Sequence, residues 1–222
     1  MHELKIEEII HEMIKPNDIV SIGTSDLELA FIKKLAFKIE DEEIKIKFIP
    51  SSIKQAELIH SYGLALTNLN DDLVDVSFEF ASYCDRWLNY SKQNFHSLIA
   101  DKMIARCSKR HVVFCLAKNA VENLNEKPVS FEVARFGYER TLLELMNLGK
   151  ANFRKQGKNF FLSDSGNYVI DVKLMENFSL DDIDFLAKKI PGVLETSLFH
   201  ELADEIVLYD KIGGIDTFRI KR

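Results

Sequence analysis

The stretch VDVSFEFASYCDRWLNYSKQNFHSLIADK, Val74–Lys102, decides the predicted fold because a strand, a loop and a helix start follow one another in it. Residues 74–80 are rich in β-branched and aromatic side chains, which is typical of a buried strand. A helical period of apolar residues resumes at 98–107. A strand followed by a helix is the repeating unit of an α/β sheet, so the prediction extends outward from here.

Four polar side chains of this stretch are predicted to converge. Open α/β sheets bind ligands at the carboxyl ends of their strands, and Glu79 and Ser82 fall at that end of the predicted strand. Lys92 in the loop and Asp101 at the start of the helix would face back toward it. A carboxylate inside an apolar strand either lies on an exposed face or is held in a site. We therefore predict one crevice lined by two carboxylates, a hydroxyl and an ammonium.

Both flanks of this stretch continue the alternation of helices and strands. Helices are predicted at residues 4–14, 25–35 and 52–63, and strands at residues 19–23, 44–49 and 112–116. This order calls for a parallel sheet covered by helices on both faces. The predicted fold class is therefore α/β, with a Rossmann-like, mostly parallel sheet. The turn at residues 23–26 leads from a strand into a helix N-terminus, where an anion can bind.

The pattern changes after Lys118, where short strands separated by turns replace the earlier alternation. Strands are predicted at residues 128–133, 152–155, 160–163 and 168–174, and helices at residues 138–147 and 180–188. The strand at residues 205–209 is predicted to return to the first sheet. We predict a Rossmann-like domain from residues 1–125 with 200–222, and a smaller α+β domain from residues 126–199.

Length, charge and cysteine content exclude several classes of protein. The 222 residues are 46% hydrophobic, which allows a sizeable core, and the formal net charge of −6 argues against a general nucleic-acid binder. The three cysteines lack metal-binding spacing and are predicted to be thiols in a reducing cytosol. No apolar run is long enough to span a membrane, and the start MHELKIEE lacks the order of a secretory signal. We expect a soluble, cytoplasmic protein with no metal site.

The spacing of these motifs resembles that of the ribose-5-phosphate isomerase type A family. The signature of that family runs DGAD, then a lysine followed by three glycines, then a glutamate at the start of a helix. Without a gap, DGAD falls on EFAS, Glu79–Ser82, the lysine on Lys92 and the glutamate on Asp101. Further segments match in the family's order: Ser51-Ser52, Pro128 with Glu132-Val133, residues 163–167 with Ile170-Asp171, and residues 190–193. The resemblance covers about residues 19–214 and implies the fold predicted above.

The resemblance implies an aldose–ketose isomerase that needs neither a metal nor an organic cofactor. The family interconverts ribose 5-phosphate and ribulose 5-phosphate through an enediol. This chemistry needs a base, a group that stabilises charge on the oxygens, and a phosphate cradle. By position, Asp101 is the base, Lys92 the electrostatic stabiliser and Glu79 the residue that orients the sugar. Thr24 and Ser25 match the phosphate loop.

Further positions complete the substrate-binding set that the resemblance implies. Ala81 and Ser82 lie within the DGAD match. The substrate-binding lysine of the family falls on Asn119 in an ungapped match and on Lys118 after a shift by one residue, and both assignments stay open. The implied partners are a sugar phosphate and a second copy of the chain in a homodimer, with no nucleic acid and no membrane.

Several substitutions depart from the family's pattern. The three glycines after the lysine are replaced by Gln93-Asn94-Phe95, and Phe95 would add bulk and give a smaller or differently shaped pocket. Ser82 replaces a carboxylate, and Asp26 places a carboxylate where the phosphate would bind. Asp101 is one methylene shorter than glutamate, and a displacement of ~1 Å at a reacting centre can cost ~100-fold in rate.

Two hypotheses from different classes therefore stand side by side. The first is an isomerase of a pentose phosphate, in which Asp101, Lys92 and Glu79 perform the reaction. The second is a paralogue that has kept the fold and lost the reaction, and that binds a phosphorylated metabolite or acts through its dimer surface. Turnover of ribose 5-phosphate in a coupled assay distinguishes the two.

Overall fold

The computed structural model describes residues 12–26, 28–175, 178–209 and 219–221. Its strands are β1 (Ile19–Ile22), β2 (Lys47–Phe48), β3 (Ala65–Leu66), β4 (Val76–Ala81), β5 (Tyr83–Cys84), β6 (Tyr90–Ser91), β7 (His111–Leu116), β8 (Val129–Val133), β9 (Gly149–Phe153), β10 (Lys155–Gln156), β11 (Asn159–Phe160), β12 (Tyr168–Leu174), β13 (Val193–Thr196), β14 (Leu198–Phe199), β15 (Glu205–Tyr209) and β16 (Arg219–Lys221). Its helices are α1 (Glu28–Asp41), α2 (Ile53–Ser61), α3 (Leu98–Arg106), α4 (Tyr138–Leu145) and α5 (Leu180–Lys189). The helix predicted at residues 4–14 falls largely outside the described residues.

Seven strands form the larger sheet, in the order β16-β15-β7-β4-β1-β2-β3. Among the described strands of this sheet, β16 alone runs antiparallel to its neighbour. The predicted Rossmann-like, mostly parallel sheet is therefore confirmed. The strand at residues 205–209 returns to it beside β7, as predicted. The strand predicted at residues 44–49 is shorter and spans Lys47–Phe48.

The central strand β4 has one apolar and one polar face, because successive side chains of a strand point to opposite sides. Phe78 and Phe80 lie beneath α1, where their ring centroids are 6.4 and 5.7 Å from that of Phe31. Ser77 and Glu79 consequently point to the opposite face of the sheet. The alternation in VSFEF thus places a carboxylate in the interior of the fold.

The second half of the chain folds around an antiparallel sheet in the order β13-β8-β12-β9. Helices α4 and α5 pack on this sheet. Their shared core contains Phe131, Leu145, Ile170, Val172 and Ile183. This arrangement confirms the predicted α+β half, whereas the boundaries given for the two domains stay a prediction.

A small sheet in the order β14-β6-β5 connects the two halves. Each of its strands is two residues long, and the sequence pattern did not predict it. Leu198 of β14 pairs with Ser91 of β6, and Lys92 N donates to Ser197 O at 3.1 Å. The small sheet therefore fixes the backbone immediately before Lys92.

Candidate active site

The polar face of β4 places Glu79 against side chains from two other elements. Lys92 directly follows β6, and Asp101 lies in the first turn of α3, whose N-cap residue Ser97 accepts a hydrogen bond from Ala100 N at 3.3 Å. Lys92 Nζ donates to Glu79 Oε2 at 2.7 Å and to Asp101 Oδ2 at 2.5 Å. The structure therefore brings together three of the four side chains predicted to converge, which we call the charged cluster. The fourth, Ser82, lies apart from them, and its Oγ accepts from Gln93 N at 2.8 Å.

The charged cluster is shielded from solvent, and this burial shifts the pKa of each member. Lys92 is 0% exposed, Glu79 4% and Asp101 2%. Burial raises the pKa of Glu79 to about 7, against the opposing charge of Lys92, and Asp101 adds to the rise. Burial also raises the pKa of Asp101, with Lys92 opposing it. Burial would lower the pKa of Lys92, but the two carboxylates outweigh it, so the pKa of Lys92 is raised and its ammonium stays charged.

Asp101 keeps one carboxylate oxygen without a hydrogen-bond partner among the described residues. Oδ2 accepts from Lys92, whereas Oδ1 is buried and unpaired. Oδ1 and the equally unpaired Ser51 Oγ belong to residues that line a cavity of about 10 Å³. A buried carboxylate oxygen with no donor can accept a proton, which is what a general base requires.

Gly23 is needed where β1 ends because the charged cluster approaches its backbone closely. A Cβ placed on Gly23 would lie 1.9 Å from Glu79 Oε1 and 2.5 Å from its carboxyl carbon. Atoms at such distances overlap, so a side chain here would displace the carboxylate from Lys92. The sequence pattern did not single out Gly23, although a glycine within a strand, here the one predicted at residues 19–23, is a recognised sign of close backbone approach.

A second buried polar group, His111, lies near the charged cluster. Its ring nitrogens contact Ser77 Oγ and Tyr90 Oη, each at 2.6 Å. Burial lowers the pKa of His111 to about 3, and the charge of Lys92 adds to the effect. The ring is therefore neutral at neutral pH, with one nitrogen donating and the other accepting. No pattern in the sequence pointed to this contact, because it joins three separate strands.

A cleft of about 350 Å³ opens beside the charged cluster. Its lining residues are Thr24, Ser25, Asp26, Phe80, Ala81, Ser82, Tyr83, Gln93, Asn94, Leu116 and Asn119. Three lining segments come directly after residues of the cluster region: 24–26 after Gly23, 80–83 after Glu79, and 93–94 after Lys92. The cleft and the cluster are thus adjacent layers, and the backbone at these positions forms the wall between them.

Four of the five residues predicted to bind substrate line this cleft, namely Thr24, Ser25, Ala81 and Ser82. Lys118 is exposed on the short 3-10 helix Ala117–Asn119 and does not line it. Asn119 does line the cleft, and its Nδ2 donates to Ser82 O at 2.9 Å. Two residues were left open for the position of the family's lysine, and of these Asn119 lines the cleft whereas Lys118 does not.

The polar groups of the cleft are mostly uncharged. Asp26 is the one charged side chain among the described residues that line it. Thr24 Oγ1 is buried and has no hydrogen-bond partner in the described part of the chain. Gln93 and Asn94, which were predicted only as replacements of glycines, also line the cleft. The Gln93 amide donates to Pro128 O at 2.8 Å, and its Oε1 accepts from Ser130 Oγ at 3.4 Å.

Phe95 does not narrow the cleft, contrary to the expectation that it would add bulk there. Its side chain is 3% exposed and packs in the core, with its ring 6.3 Å from that of Phe161 and the Arg154 guanidinium 4.6 Å from its centroid. Arg154 also donates to Gln93 O at 2.9 Å, and Gln93 N donates to Ser82 Oγ at 2.8 Å. The segment that replaces the glycines is therefore pinned at both ends.

Other features bear on the class of protein. No group of three or more His, Cys, Asp or Glu side chains within the described ranges is placed to hold a metal ion. Cys84, Cys107 and Cys115 are free thiols, as predicted. Hydrogen bonding to Cys84 and burial raise the pKa of Cys115, so this thiol is a poor nucleophile. None of the helices that the structure describes could cross a bilayer.

Comparisons with known proteins identify relatives of the chain. A family model described as ribose 5-phosphate isomerase A (phosphoriboisomerase A) matches residues 47–213. Ribose-5-phosphate isomerase A of Picrophilus torridus is 32% identical over 203 residues, which cover 90% of this chain and 88% of the relative.

Solved structures resemble the whole fold. A D-ribose-5-phosphate isomerase in complex with phospho-erythronic acid is similar with a TM-score of 0.89 and 25% identity, covering 100% of this chain and 98% of that one. Ribose 5-phosphate isomerase A of Methanocaldococcus jannaschii is similar with a TM-score of 0.86 and 26% identity, covering 99% and 98%. Both matches extend over the larger sheet and the antiparallel sheet together.

Proposed function

The chain belongs to the ribose-5-phosphate isomerase A family, and from this premise we propose that it interconverts ribose 5-phosphate and ribulose 5-phosphate through an enediol. One observation carries the proposal: a buried ammonium, Lys92, contacts two buried carboxylates, Glu79 and Asp101. These residues stand at the positions of the family signature, directly behind a polar cleft.

The reaction moves one proton between carbons and one between oxygens. Asp101 removes the proton from C2 of the open-chain aldose and returns it to C1. The hydroxyl proton on O2 passes to O1, so that the aldehyde becomes an alcohol and C2 becomes a carbonyl. Glu79, with a pKa raised to about 7, is suited to exchange that oxygen-bound proton near neutral pH. Atoms and electrons balance without a redox partner.

Lys92 supplies the positive charge that the enediolate requires. An ammonium in a buried, low-dielectric site stabilises a developing oxyanion more strongly than it would in water. In the described state both carboxylates share this ammonium. Because the backbone of residues 93–94 separates the cleft from Lys92, turnover requires the contacts of Gln93 with Arg154 and Ser82 to open so that the reacting carbons reach Lys92.

The uncharged groups of the cleft hold the remainder of the sugar in this proposal. Thr24 Oγ1 and the Ser82 hydroxyl are donors or acceptors for hydroxyl and phosphate oxygens. Thr24 also lies in the segment that leads from β1 to α1, four residues before Glu28, and a helix N-terminus favours an anion. Asp26 opposes this attraction with its own negative charge.

A coupled assay that follows ribose 5-phosphate turnover tests the proposal. We expect Asp101→Asn to lower kcat by about 100- to 10,000-fold, since general acid–base catalysis contributes factors of that size. Asp182→Asn is the matched control, because Asp182 is also an aspartate in the first turn of a helix, α5, and lies outside the cleft and the charged cluster. It should retain kcat within about twofold.

Two outcomes of this assay contradict the proposal in different ways. A wild-type chain that binds sugar phosphate in a thermal-shift assay but does not turn it over would favour the non-catalytic paralogue. Full activity of Asp101→Asn would remove Asp101 from the role of base while leaving the activity intact.

We also propose, from the family resemblance, a cytoplasmic homodimer. Exposed aromatic side chains support the homodimer. Phe160, one of four clustered rings with Tyr138, Phe153 and Tyr168, is 37% exposed, and Phe136, two residues before Tyr138, is 96% exposed. Sedimentation equilibrium of the wild type and of Phe136→Ser tests the homodimer. A monomeric mass for the wild type at micromolar concentration would contradict it.

A further inference from the structure

Glu132 is a fully buried carboxylate in the middle of β8, within the segment VSFEV. Its Oε1 accepts from Ser163 Oγ at 2.6 Å and from Asn167 Nδ2 at 3.0 Å. Its Oε2 accepts from Leu98 N at 2.8 Å and from Ile99 N at 3.3 Å. An ion in an apolar sheet is costly unless its hydrogen bonds are satisfied, so this arrangement calls for a purpose other than packing.

The two backbone donors, Leu98 N and Ile99 N, belong to the first turn of α3, the helix that carries Asp101. The N-terminal N–H groups of a helix have no partners within the helix and carry a partial positive charge. Glu132 satisfies two of them, and Ser97 caps a third. Glu132 therefore fixes the first turn of α3, which ends at Asp101. Glu132 belongs to the antiparallel sheet, whereas Glu79 belongs to the larger sheet.

We propose that Glu132 is a positioning residue for Asp101: it anchors the first turn of α3 so that the Asp101 carboxylate meets Lys92, and its charge opposes the positive helix terminus beside that carboxylate. This inference rests on the proposed function, in which Asp101 is the base. It deepens that function by making the antiparallel sheet part of the catalytic apparatus.

Several charged or titratable groups surround the Asp101 carboxylate. The charged or titratable groups that face it are Tyr90 on β6, Lys92 directly after β6, Glu79 on β4, His111 on β7, His96 before α3, and Glu132 on β8. Burial is the largest cause of the raised pKa of Asp101, Lys92 and His96 oppose it, and Glu132 adds to the rise. Removing the charge of Glu132 should therefore lower the pKa of Asp101.

Glu132→Gln tests the inference, because it keeps the shape of the side chain and removes the charge. We expect kcat to fall about tenfold or more while KM stays within about twofold, since a misplaced base affects the chemical step. The rise of kcat with pH follows ionisation of the base, so a lower pKa should move that rise to lower pH. Carbon-13 NMR of the Asp101 carboxyl, followed against pH, should show the same displacement without depending on turnover.

Glu195→Gln is the matched control. Glu195 is the register partner of Glu132 on the adjacent strand β13, and it also contacts α3, through Lys102 Nζ at 2.5 Å. It does not touch the first turn of the helix. We expect its kcat within about twofold of the wild type and its pH profile unchanged.

A second variant keeps the inference testable if Glu132→Gln fails to fold. Ser163→Ala removes one donor to the same carboxylate and leaves its charge, so kcat should fall about two- to threefold with KM unchanged. An unaltered kcat and Asp101 titration in a folded Glu132→Gln, or an unaltered kcat in Ser163→Ala alone, would overturn the positioning role. Absence of turnover in the wild type would instead refute the proposed function, and the NMR titration would still decide the role of Glu132.

Discussion

Replacing Lys92 by methionine would leave two buried carboxylates without their shared cation. Lys92 is 0% exposed and lies 2.7 Å from Glu79 Oε2 and 2.5 Å from Asp101 Oδ2. Breaking a buried ion pair by removing one partner costs about 3–5 kcal/mol. Methionine nearly fills the volume of the lysine stem, so little of the cost arises from a cavity. At pH 8 we therefore expect the free energy of unfolding to fall by about 4 kcal/mol.

The same substitution should cost less at low pH, because protonation removes the uncompensated charges. Without the ammonium, the already raised pKa values of Glu79 and Asp101 rise further, and the folded variant binds protons that its unfolded chain does not. The stability of the variant relative to the wild type thus falls as pH increases from 5 to 8. At pH 5 we expect a loss of about 1–2 kcal/mol, which is the cost of the missing hydrogen bonds.

Urea unfolding followed by circular dichroism at pH 5 and pH 8 measures both values. Lys188→Met is the control, because Lys188 forms an ion pair with Asp184 but its side chain is 53% exposed. Solvent screens such pairs, so the control should lose less than about 1 kcal/mol at either pH. A loss below about 1 kcal/mol for Lys92→Met at pH 8, or the same loss at both pH values, would refute the reasoning.

Three further substitutions probe neighbouring features. Gly23→Ala should lower turnover about 100-fold, because the new Cβ displaces the Glu79 carboxylate. Gly157→Ala is the control: Gly157 has a φ of +62°, and a Cβ added there would meet no atom within 4 Å. It should cost about 1 kcal/mol of stability and leave turnover unchanged. Glu79→Gln should remove the part of the wild-type decline in stability between pH 4.5 and 7 that comes from Glu79, up to about 3 kcal/mol, because a raised carboxyl pKa makes the folded state lose stability as pH rises through that window. Asp101, whose pKa is also raised, keeps its own contribution, and urea unfolding at several pH values in this window measures the difference. His111→Phe should remove the part of the wild-type loss of stability that His111 contributes as pH falls from 6.5 toward 3, because the pKa of this residue is lowered in the fold. It should also cost about 2 kcal/mol at pH 7, because two buried hydroxyls lose their partner, and thermal unfolding measures both effects.

Local sequence patterns predicted most strands of the larger sheet and the three residues of the charged cluster, Glu79, Lys92 and Asp101. The alternation in VSFEF determines which face of β4 each side chain occupies, so the strand assignment places Glu79 opposite Phe78 and Phe80, whereas its burial depends on Lys92 and Asp101 from other elements. The same reasoning applies to VSFEV in β8, where Glu132 stands at the equivalent position. That segment was predicted only as a family match, whereas an acid inside an apolar strand is the sequence signal that points to Glu132.

Contacts between distant segments could not be predicted in the same way. The position of Phe95 depends on Arg154 and Phe161, which belong to the other half of the chain. Strands β5, β6 and β14 are two residues long, too short to show a period of two. The choice between Lys118 and Asn119 depends on the twist of a single 3-10 turn, which composition does not reveal.

The pairing of β15 with β7 constrains the order in which the chain acquires its structure. β7 is complete once Leu116 has been synthesised, yet its outer edge stays unpaired until residues 205–209 emerge, after the entire antiparallel sheet. An unpaired strand edge is a template for association with other chains. Ribosome-bound chains that end before Glu205 should therefore be aggregation-prone, and one would expect chaperones to engage them until the last parallel strand arrives.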